Sequence, residues 1–341
     1  MRIGVFIGRL QPFHRGHEHV VRESLKQVDK LAILIGSAGA ARSSRNPWTF
    51  NERREMINRC FPWEVSNGKI VFQPIHDHPS DERWITDVRN AVAMETNDPD
   101  KDEILLVGFS KDQSSFYLKL FPDWGSVDVS AQWRVLNATD VRNSFFSNMQ
   151  RIERDVLSKG VVDFLEEWRV TDHYYSVFYE HEAVERYKAS WDNAPFPPTF
   201  ITADAVVVQS GHILLVRRGD YPGKGLLALP GGFINQFERI RDAAARELKE
   251  ETEIEDARGR IPAGRLQTYI TEAKVFDNPY RSARGRTVTH AHLFRLPDAK
   301  PLWKVTGSDD AASAEWRLIA NLSEDEMFED HFHIIQDMLG L

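Results

Sequence analysis

The first seventeen residues constrain the fold of this 341-residue chain more than any other stretch. Residues 2–7 are a short apolar run of the kind that forms a buried parallel strand. Residues 8–17 follow as a glycine-containing segment, and from Val21 onward apolar residues repeat with helical spacing. The stretch therefore predicts a strand that passes through a short loop directly into an amphipathic helix.

Two histidines, His14 and His17, lie at the predicted start of this helix. Backbone N–H groups at a helix N-terminus attract anions. Histidine also donates a proton or a hydrogen bond to phosphate oxygens near neutral pH. The pair therefore suggests a phosphate site, although H-x-x-H alone is more often a polar, solvated helix start.

The whole string Gly-Arg-x-Gln-Pro-x-His-x-Gly-His resembles the nucleotidyltransferases of the H-x-G-H type. Its Gln-Pro form is similar to the archaeal type of nicotinamide mononucleotide (NMN) adenylyltransferase. This resemblance implies that His14 and His17 contact the phosphates in the transition state and that Gly8 allows close backbone approach. It also implies that Arg9 and Gln11 belong to the nucleotide-binding residues.

Later segments of the first half agree with this resemblance. Residues 137–142 resemble the second phosphate signature of the family, in which the Thr139 hydroxyl and the Arg142 guanidinium would hold the triphosphate. Taken alone, this segment is an ordinary helix start. Trp84 falls at the position where members of the family stack an indole ring on the nicotinamide ring. The alternative is that Trp84 packs in the hydrophobic core. Residues 108–112 resemble a Gly-His-x-Lys-Asp segment, but Phe109 replaces the histidine.

Strand-like and helix-like patterns alternate as far as residue 146. A capping box at residues 49–52 predicts a helix that runs through Cys60. This alternation predicts an α/β fold with a doubly wound, Rossmann-like parallel sheet and a ligand at the carboxyl ends of its strands. Residues 150–191 are helical and polar in pattern, so we expect the first domain to span residues 1–180.

Residues 193–198 are rich in proline, and we predict a linker over residues 181–198 and a second domain over residues 199–341. In the second domain, Glu247, Glu250 and Glu251 share one face of a predicted helix. Three neighbouring carboxylates repel one another unless a cation lies among them, and Mg²⁺, or Mn²⁺ as the alternative, prefers such oxygen ligands. If only these three glutamates are considered, the alternative to a metal site is an acidic helix face exposed to solvent.

The string from Gly232 through Glu238 and Arg246 to Glu251 resembles the Nudix box. The resemblance implies an α/β/α sandwich with a mixed sheet, a metal held by the three glutamates, a catalytic Glu250, and bracing roles for Glu238 and Arg246. Glu253 stands where the box has glycine, which predicts a longer or differently ended helix. Residues 275–279 and 284–288 resemble the ADP-ribose-directed branch, and residues 323–339 predict a closing helix.

Composition and charge argue against several other classes of protein. The net charge of −8 argues against a general nucleic-acid surface. No apolar run reaches membrane-spanning length, and the first strand leaves no room for a signal peptide, so we expect a cytoplasmic protein. Cys60 is the only cysteine, which excludes an intrachain disulfide. Homo-oligomerisation stays open.

Both resemblances together are similar to the bifunctional NMN adenylyltransferase/ADP-ribose pyrophosphatases of bacteria. They imply ATP, NMN and ADP-ribose as substrates: NMN and ATP would give NAD and pyrophosphate, and ADP-ribose would give AMP and ribose 5-phosphate. One alternative is a transferase for another phosphorylated acceptor, with a Nudix half for other nucleoside diphosphates. Another is a Nudix half that only senses ADP-ribose.

Overall fold

A parallel five-stranded sheet organises the first part of the chain. The computed structural model describes residues 1–98, 101–108, 120–129, 136–147 and 152–341, so the predictions for Phe109 and its neighbours up to Asp112 lie outside the described residues. The strand order is β3-β2-β1-β4-β5 and every pairing is parallel. The strands are β1 (Arg2–Gly8), β2 (Lys30–Ile35), β3 (Ile70–Pro74), β4 (Glu103–Gly108) and β5 (Gly125–Asp128).

Helices cover both faces of this sheet, which confirms the predicted doubly wound fold. Alternate residues of β1 point to opposite faces: Phe6 joins one apolar cluster, and Ile3 and Val5 join the other. The chain reverses direction across the sheet between β1 and β4, and in such folds the ligand lies at the carboxyl ends of these strands. The helices are α1 (Arg15–Ser24), α2 (Phe50–Cys60), α3 (Pro62–Ser66), α4 (Asp81–Ala93), α5 (Ala138–Phe146), α6 (Lys159–Trp168) and α7 (Asp172–Ala189).

The capping box predicted at the start of α2 is present. The Glu52 backbone N–H donates to Thr49 Oγ1 (3.4 Å), and the Thr49 N–H donates to Glu52 Oε2 (2.7 Å). Two backbone N–H groups at the helix start, which have no acceptor within the helix, thus find local acceptors. This confirms a helix that begins after Thr49 and ends at Cys60.

The chain divides into two compact units, Met1–Phe178 and Tyr179–Leu341. Helix α7 continues through this division, so residues 181–189 of the predicted linker are helical. His181 and Val184 are buried there. The domain limits at residues 180 and 199 stay predictions. Within the described ranges, no helix is long and apolar enough to cross a membrane.

The second unit contains a mixed sheet in the order β12-β13-β6-β7-β14, in which only the pairing of β13 with β6 is parallel among these neighbours. The short strands β8 and β9 pair with β7 and β6. The strands are β6 (Thr199–Gln209), β7 (His212–Arg218), β8 (Leu227–Ala228), β9 (Gly231–Phe233), β10 (Glu255–Asp256), β11 (Gly259–Arg260), β12 (Ile270–Phe276), β13 (Arg286–Arg295) and β14 (Ala311–Leu318).

Two helices enclose this mixed sheet and confirm the predicted α/β/α sandwich. The α-helices of the unit, apart from the end of α7, are α8 (Ile240–Thr252), α9 (Ala263–Leu266) and α10 (His331–Leu339). Ala203, Ala205 and Val207 of β6 pack with α8 in one apolar cluster. Val206 packs with α10 in the other.

The predicted closing helix over residues 323–339 is wrong in its first part. Helix α10 begins only at His331. Before it, the Phe328 N–H donates to the Leu227 carbonyl (2.8 Å), and Glu329 adopts a positive φ of 47°. Pairing with β8 therefore holds this segment outside a helix, a long-range contact that local periodicity does not reveal.

The expectation of a longer or differently ended α8 is also wrong. The helix ends at Thr252, and Glu253 follows in the left-handed conformation (φ 39°, ψ 37°), as the glycine of the Nudix box would. The Glu253 carboxylate accepts a hydrogen bond from Arg260 Nη2 (2.7 Å). The chain thus keeps the helix end at the cost of a strained, non-glycine residue.

We expect Glu253→Gly to raise the free energy of unfolding by roughly 0.5–1 kcal/mol, because relief of left-handed strain outweighs the added freedom of the unfolded chain. Chemical denaturation of the full chain measures this change. Glu253→Ala is the matched control: it removes the ion pair with Arg260 but keeps the Cβ, so its stability should not rise. An equal gain in both variants would contradict the assignment of strain.

Candidate active sites

The two histidines of the first motif form a reciprocal cap at the start of α1. His14 Nδ1 accepts hydrogen bonds from the backbone N–H groups of Gly16 (3.1 Å) and His17 (3.4 Å). His17 Nδ1 accepts one from the His14 N–H (3.4 Å). The two rings stack with their centroids 3.6 Å apart. Because each Nδ1 is an acceptor, a neutral ring carries its proton on Nε2, which is therefore its donor atom.

Helix α5 brings Arg142 to the same loop. The Arg142 guanidinium donates to the Gln11 carbonyl (2.5 Å) through Nη1 and to Thr139 Oγ1 (3.0 Å) through Nη2. Burial, together with the neighbouring charges of Arg9 and Arg45, lowers the pKa of Arg142 to about 10. Buried guanidinium groups this close together favour an anion between them. Hydrogen bonds therefore join Arg142 and Thr139 to the loop of residues 8–14, here called the histidine loop. A phosphate-binding role for these residues remains a prediction.

Arg9 belongs to the same group of positive charges. Burial lowers its pKa, while Asp77 opposes that shift. Gly8 is the last residue of β1, and a Cβ there would meet Leu10 Cδ2 at 3.1 Å. That contact is tight, so a Cβ at this point would require the Leu10 side chain to shift by a few tenths of an ångström.

Gln11 uses its side chain within the protein. Its Nε2 donates to the Trp48 carbonyl (2.9 Å), and its Oε1 accepts from the Trp48 N–H (3.1 Å). The side chain is 2% exposed. In this structure, Gln11 therefore fastens the histidine loop to the segment before α2.

Trp84 lies on α4, on the other face of the sheet from the Gln11 contact. Its ring packs against Phe121 with the centroids 6.2 Å apart, at the edge of the apolar cluster around Ile3 and Val5. The side chain is half-buried. The structure thus gives Trp84 a packing role and does not join it to the histidines by any contact of its ring with theirs.

Sequence reasoning missed Arg53, which shapes the same site from α2. The Arg53 guanidinium donates to the carbonyls of Arg9 (2.7 Å), Gly36 (2.6 Å) and Ser37 (3.2 Å). It is 1% exposed, and burial lowers its pKa to about 10. Arg53 therefore holds together the loops that follow β1 and β2. No local signal distinguishes it from its neighbour Arg54, which is exposed.

In the second unit, two glycines let backbone approach carboxylates closely. The Gly231 N–H donates to Glu251 Oε2 (3.0 Å), and a Cβ on Gly231 would lie 2.2 Å from Asp204 Oδ1. A Cβ on Gly232 would lie 2.5 Å from Glu247 Oε1. Gly231 requires glycine because a Cβ there would also lie 2.6 Å from the Ala203 carbonyl oxygen, whereas a Cβ on Gly232 would displace the Glu247 carboxylate.

Arg246 binds three glutamates at once. Its Nε and Nη2 donate to the two carboxylate oxygens of Glu238 (2.8 and 2.9 Å). Its Nη1 donates to Glu247 Oε1 (2.8 Å) and Glu250 Oε2 (2.9 Å). This guanidinium ties the loop before α8 to the helix and offsets the repulsion among its carboxylates.

A cavity of about 510 Å³ lies beside these groups, and Glu247 and Glu251 both line it. Glu250 instead lines a neighbouring cavity of about 310 Å³. The structure therefore places two of the three predicted metal-binding glutamates in the large cavity and holds the third outside it through Arg246. Sequence reasoning missed other titratable residues that line the large cavity: Asp204, Arg218, Arg281, Glu329 and His331.

Burial shifts the pKa values of the titratable side chains that line this cavity. It raises the pKa of Glu251 to about 8, and the nearby Glu247 and Asp204 act in the same direction against the Gly231 N–H and Arg218. Burial likewise raises the pKa of Glu247 and of Asp204. It lowers the pKa of His331 to about 3, so the ring is neutral and its Nδ1 accepts from the Leu229 N–H (2.9 Å).

The donor chemistry of these carboxylates fits a hard divalent cation. Glu247 and Asp204 raise the pKa of the buried Glu251, so positive charge among these carboxylates is stabilising. Oxygen ligands are also those that Mg²⁺ and Mn²⁺ prefer. In the part of the chain that the structure describes, no group of three or more His, Cys, Asp or Glu side chains is already arranged around a metal position. Arg246 holds Glu247 and Glu250 in the arrangement seen here.

We expect Glu251→Gln to stabilise the metal-free protein more at pH 9 than at pH 6. The folded-state pKa of Glu251, about 8, lies above its ordinary value of 4.5, so the wild-type chain loses stability as the pH rises between these values. Glutamine carries no such charge and still offers an oxygen to the Gly231 N–H. Chemical denaturation in EDTA measures the difference in the free energy of unfolding between the variant and the wild-type chain. This difference should grow by more than about 1 kcal/mol from pH 6 to pH 9. The same difference at both pH values would contradict the assignment.

Comparisons with known proteins agree with both halves. Residues 5–117 match the cytidylyltransferase-like family model, and residues 198–338 match the NUDIX domain model. The chain is 32% identical over 170 residues to a nicotinamide/nicotinic acid mononucleotide adenylyltransferase of Acinetobacter baylyi, which covers 50% of this chain and 88% of that relative. It is 39% identical over 87 residues to a nicotinamide-nucleotide adenylyltransferase of Halorubrum lacusprofundi, 26% of this chain and about half (48%) of that relative.

One solved structure matches both halves together. It is the crystal structure of a bifunctional NMN adenylyltransferase/ADP ribose pyrophosphatase from Francisella tularensis, complexed with AMP and a Mn ion. The match has a TM-score of 0.89 and 34% identity, and it covers 99% of this chain and 98% of that one. The chain therefore belongs to the family of bifunctional NMN adenylyltransferase/ADP-ribose pyrophosphatases.

Proposed function

We propose that this chain catalyses two reactions of NAD metabolism. The first transfers AMP from ATP to NMN and gives NAD and pyrophosphate. The second hydrolyses ADP-ribose to AMP and ribose 5-phosphate. The observation that carries the proposal is the match over 99% of the chain, at 34% identity, to a bifunctional enzyme that contains both kinds of unit.

In the first reaction, the NMN phosphate attacks the α-phosphorus of ATP in line, and pyrophosphate leaves. The Nε2–H groups of His14 and His17 donate to phosphate oxygens as charge develops there. Their stacked, mutually capped arrangement fixes both donors before the substrate arrives, so little reorganisation is needed. No covalent intermediate is required.

The triphosphate tail of ATP is assigned to Arg142 and Thr139. Arg142 is buried and already anchored to the Gln11 carbonyl, which orients its guanidinium. The mutual repulsion of Arg142, Arg9 and Arg45 falls when a polyanion binds among them. This gives binding energy that the empty cluster does not have. Gly8 and Arg9 flank the same loop, and Gln11 fastens it to the Trp48 backbone through two hydrogen bonds. Trp84 packs on Phe121 at the other face of the sheet, and a contact with the nicotinamide ring remains a prediction.

In the second reaction, we assign a divalent metal ion, Mg²⁺ with Mn²⁺ as the alternative, to Glu247, Glu250 and Glu251. The bound ion would neutralise the diphosphate and lower the pKa of a water ligand. Glu251 is held by the Gly231 N–H, and Glu238 holds Arg246 in place beside the other two carboxylates. Arg218 and Arg284 line the same cavity and supply positive charge for the substrate's phosphates.

A product assay on the purified chain tests the proposal. One reaction contains ATP, NMN and Mg²⁺, and the other contains ADP-ribose and Mg²⁺. We expect NAD in the first and AMP with ribose 5-phosphate in the second. NAD without AMP would mean that the Nudix half senses ADP-ribose or hydrolyses another diphosphate, and AMP without NAD would point to another phosphorylated acceptor. Cytoplasmic location and homo-oligomerisation remain predictions.

We expect His17→Ala to lower adenylyl transfer about 10²–10³-fold, because one donor to the transition state is lost. ADP-ribose hydrolysis should not change. His19→Ala, on the same helix, is the control and should keep both activities. Because His17 also caps α1, thermal unfolding is measured alongside. Loss of both activities in a folded His17 variant would mean that the two sites are not separate.

We expect Glu250→Gln to lower ADP-ribose hydrolysis by about 10²-fold or more, because a carboxylate ligand for the metal is lost. Adenylyl transfer should remain at the wild-type rate. Glu253→Gln, which changes a neighbouring carboxylate outside the proposed metal set, serves as the control. Hydrolysis at the wild-type rate in the Glu250 variant would exclude Glu250 from the metal site.

A further inference from the structure

The mixed sheet of the second unit has an open edge at β12. In the part of the chain that the structure describes, β12 pairs only with β13, so one row of its backbone N–H and C=O groups faces no other strand. Residues 271–275 of β12 are all exposed, and they line neither of the two cavities described above. An exposed strand edge can add a strand from another chain. This edge is therefore a candidate interaction surface outside the proposed active sites.

The two charged residues of β12 lie on the same face of the sheet. Glu272 lies opposite Leu293 of β13. Lys274 lies opposite Ala291. Leu293 and Ala291 belong to the apolar cluster that includes α10, and residues opposite each other in a sheet share a face. Lys274 Nζ accordingly forms an ion pair with Asp337 of α10 (2.5 Å). Glu272 and Lys274 are thus neighbours on the α10 face, with opposite charges.

A second copy of β12 can pair with this edge in a register that suits both charges. A twofold axis perpendicular to the sheet keeps every side chain on its own face only when the axis passes through a residue position. With the axis at Ala273, Glu272 of each copy lies opposite Lys274 of the other copy, and the small Ala273 lies opposite itself. Opposite charges in directly opposed positions stabilise a pair of strands.

The other symmetric registers are less favourable. An axis at Glu272 or at Lys274 would place like charges directly opposite each other, which is destabilising. An axis nearer either end of β12 would leave most of the strand unpaired. The β-bulge between Ile270 and Glu272 lies at the first end of the strand, so the positions from Glu272 to Val275 pair regularly with β13. The strand therefore favours one register over the others.

We propose that a second copy of this chain pairs with β12 in the antiparallel register centred on Ala273, so that two mixed sheets join into one continuous sheet. The segment Glu272-Ala273-Lys274 is its own complement when it is read in the opposite direction. This charge complementarity favours a second copy over an unrelated extended peptide. The inference does not depend on either proposed reaction.

Sedimentation velocity of the full chain over a range of concentrations tests the proposal. We expect the wild-type chain to form a reversible dimer. Lys274→Glu, or Glu272→Lys, would place like charges opposite each other at two symmetric positions, so the dimer dissociation constant should rise about tenfold or more. The double variant Glu272→Lys/Lys274→Glu restores opposite charges and should dimerise as the wild type does.

Lys304→Glu is the matched control for these charge reversals. Lys304 is exposed and forms an ion pair with Glu255 (3.4 Å), but it lies outside β12. Its variant should keep the wild-type dissociation constant. Thermal unfolding of each variant shows whether the chain is folded. A monomeric wild-type chain at every concentration, or a folded double variant that does not regain the dimer, would overturn the proposal.

Cross-linking tests the position of the axis directly. Residues directly opposite each other in an antiparallel pair have Cα atoms about 4.5–5.5 Å apart, which a disulfide spans. In a Cys60→Ser background, Ala273→Cys should therefore give a covalent dimer when diamide takes up the two thiol hydrogens. Val275→Cys is the control on the same exposed strand, because its two copies would lie about 13 Å apart along the strands. Equal cross-linking of the two variants would contradict the register.

Discussion

One guanidinium, that of Arg246, links most of what the second unit needs for chemistry. It binds both oxygens of Glu238, one oxygen each of Glu247 and Glu250, and the Phe233 carbonyl. Hydrogen bonding to Glu238, reinforced by Glu250 and Glu247, raises the pKa of Arg246 well above its ordinary range. Its permanent charge therefore makes it possible for α8 to present several carboxylates on one side. Without that charge, these carboxylates would repel one another and the loop before α8 would lose its main anchor.

The first unit has the opposite electrostatics. Arg142 is buried and Arg9 is half-buried near it, at the loop that carries the histidine pair, and Arg53 is buried beneath the same loop. Backbone carbonyl groups accept hydrogen bonds from the guanidinium groups of Arg142 and Arg53. These carbonyl groups do not neutralise the positive charge of the arginines. A bound polyphosphate would neutralise the arginines of the first unit. A divalent cation would neutralise the carboxylates of the second unit. Each unit thus stores unfavourable like-charge interactions that its proposed ligand relieves.

Local patterns in the sequence were sufficient for much of this architecture. The strand–loop–helix at residues 2–24 and the capping box at Thr49 depend on neighbours in sequence, and both are present. The parallel and mixed sheets follow from the order of such elements. In contrast, the sequence did not reveal that Gln11 binds the Trp48 backbone or that Trp84 packs on Phe121, because those contacts join distant residues.

Other differences have the same physical origin. Helix α10 begins later than predicted because the Phe328 N–H donates to the carbonyl of Leu227 in β8. Glu253 adopts a left-handed conformation because α8 ends at Thr252 in the folded chain. Tyr187 lay within the predicted linker, where a proline-rich stretch at 193–198 suggested a break in structure. The helix before that break instead packs on the cavity, which only the folded chain shows. Residues that line the cavity but lie outside the recognised motifs were therefore the hardest to predict.

The central claim is that the buried carboxylates of α8 form a site for a divalent cation. The most direct measurement is a titration of the metal-free full chain with Mn²⁺, in which electron paramagnetic resonance reports the free ion, for wild-type protein and Glu247→Gln. We predict saturable binding to the wild-type chain and an affinity at least about tenfold lower in the variant. Equal Mn²⁺ affinity in the two proteins would contradict the account.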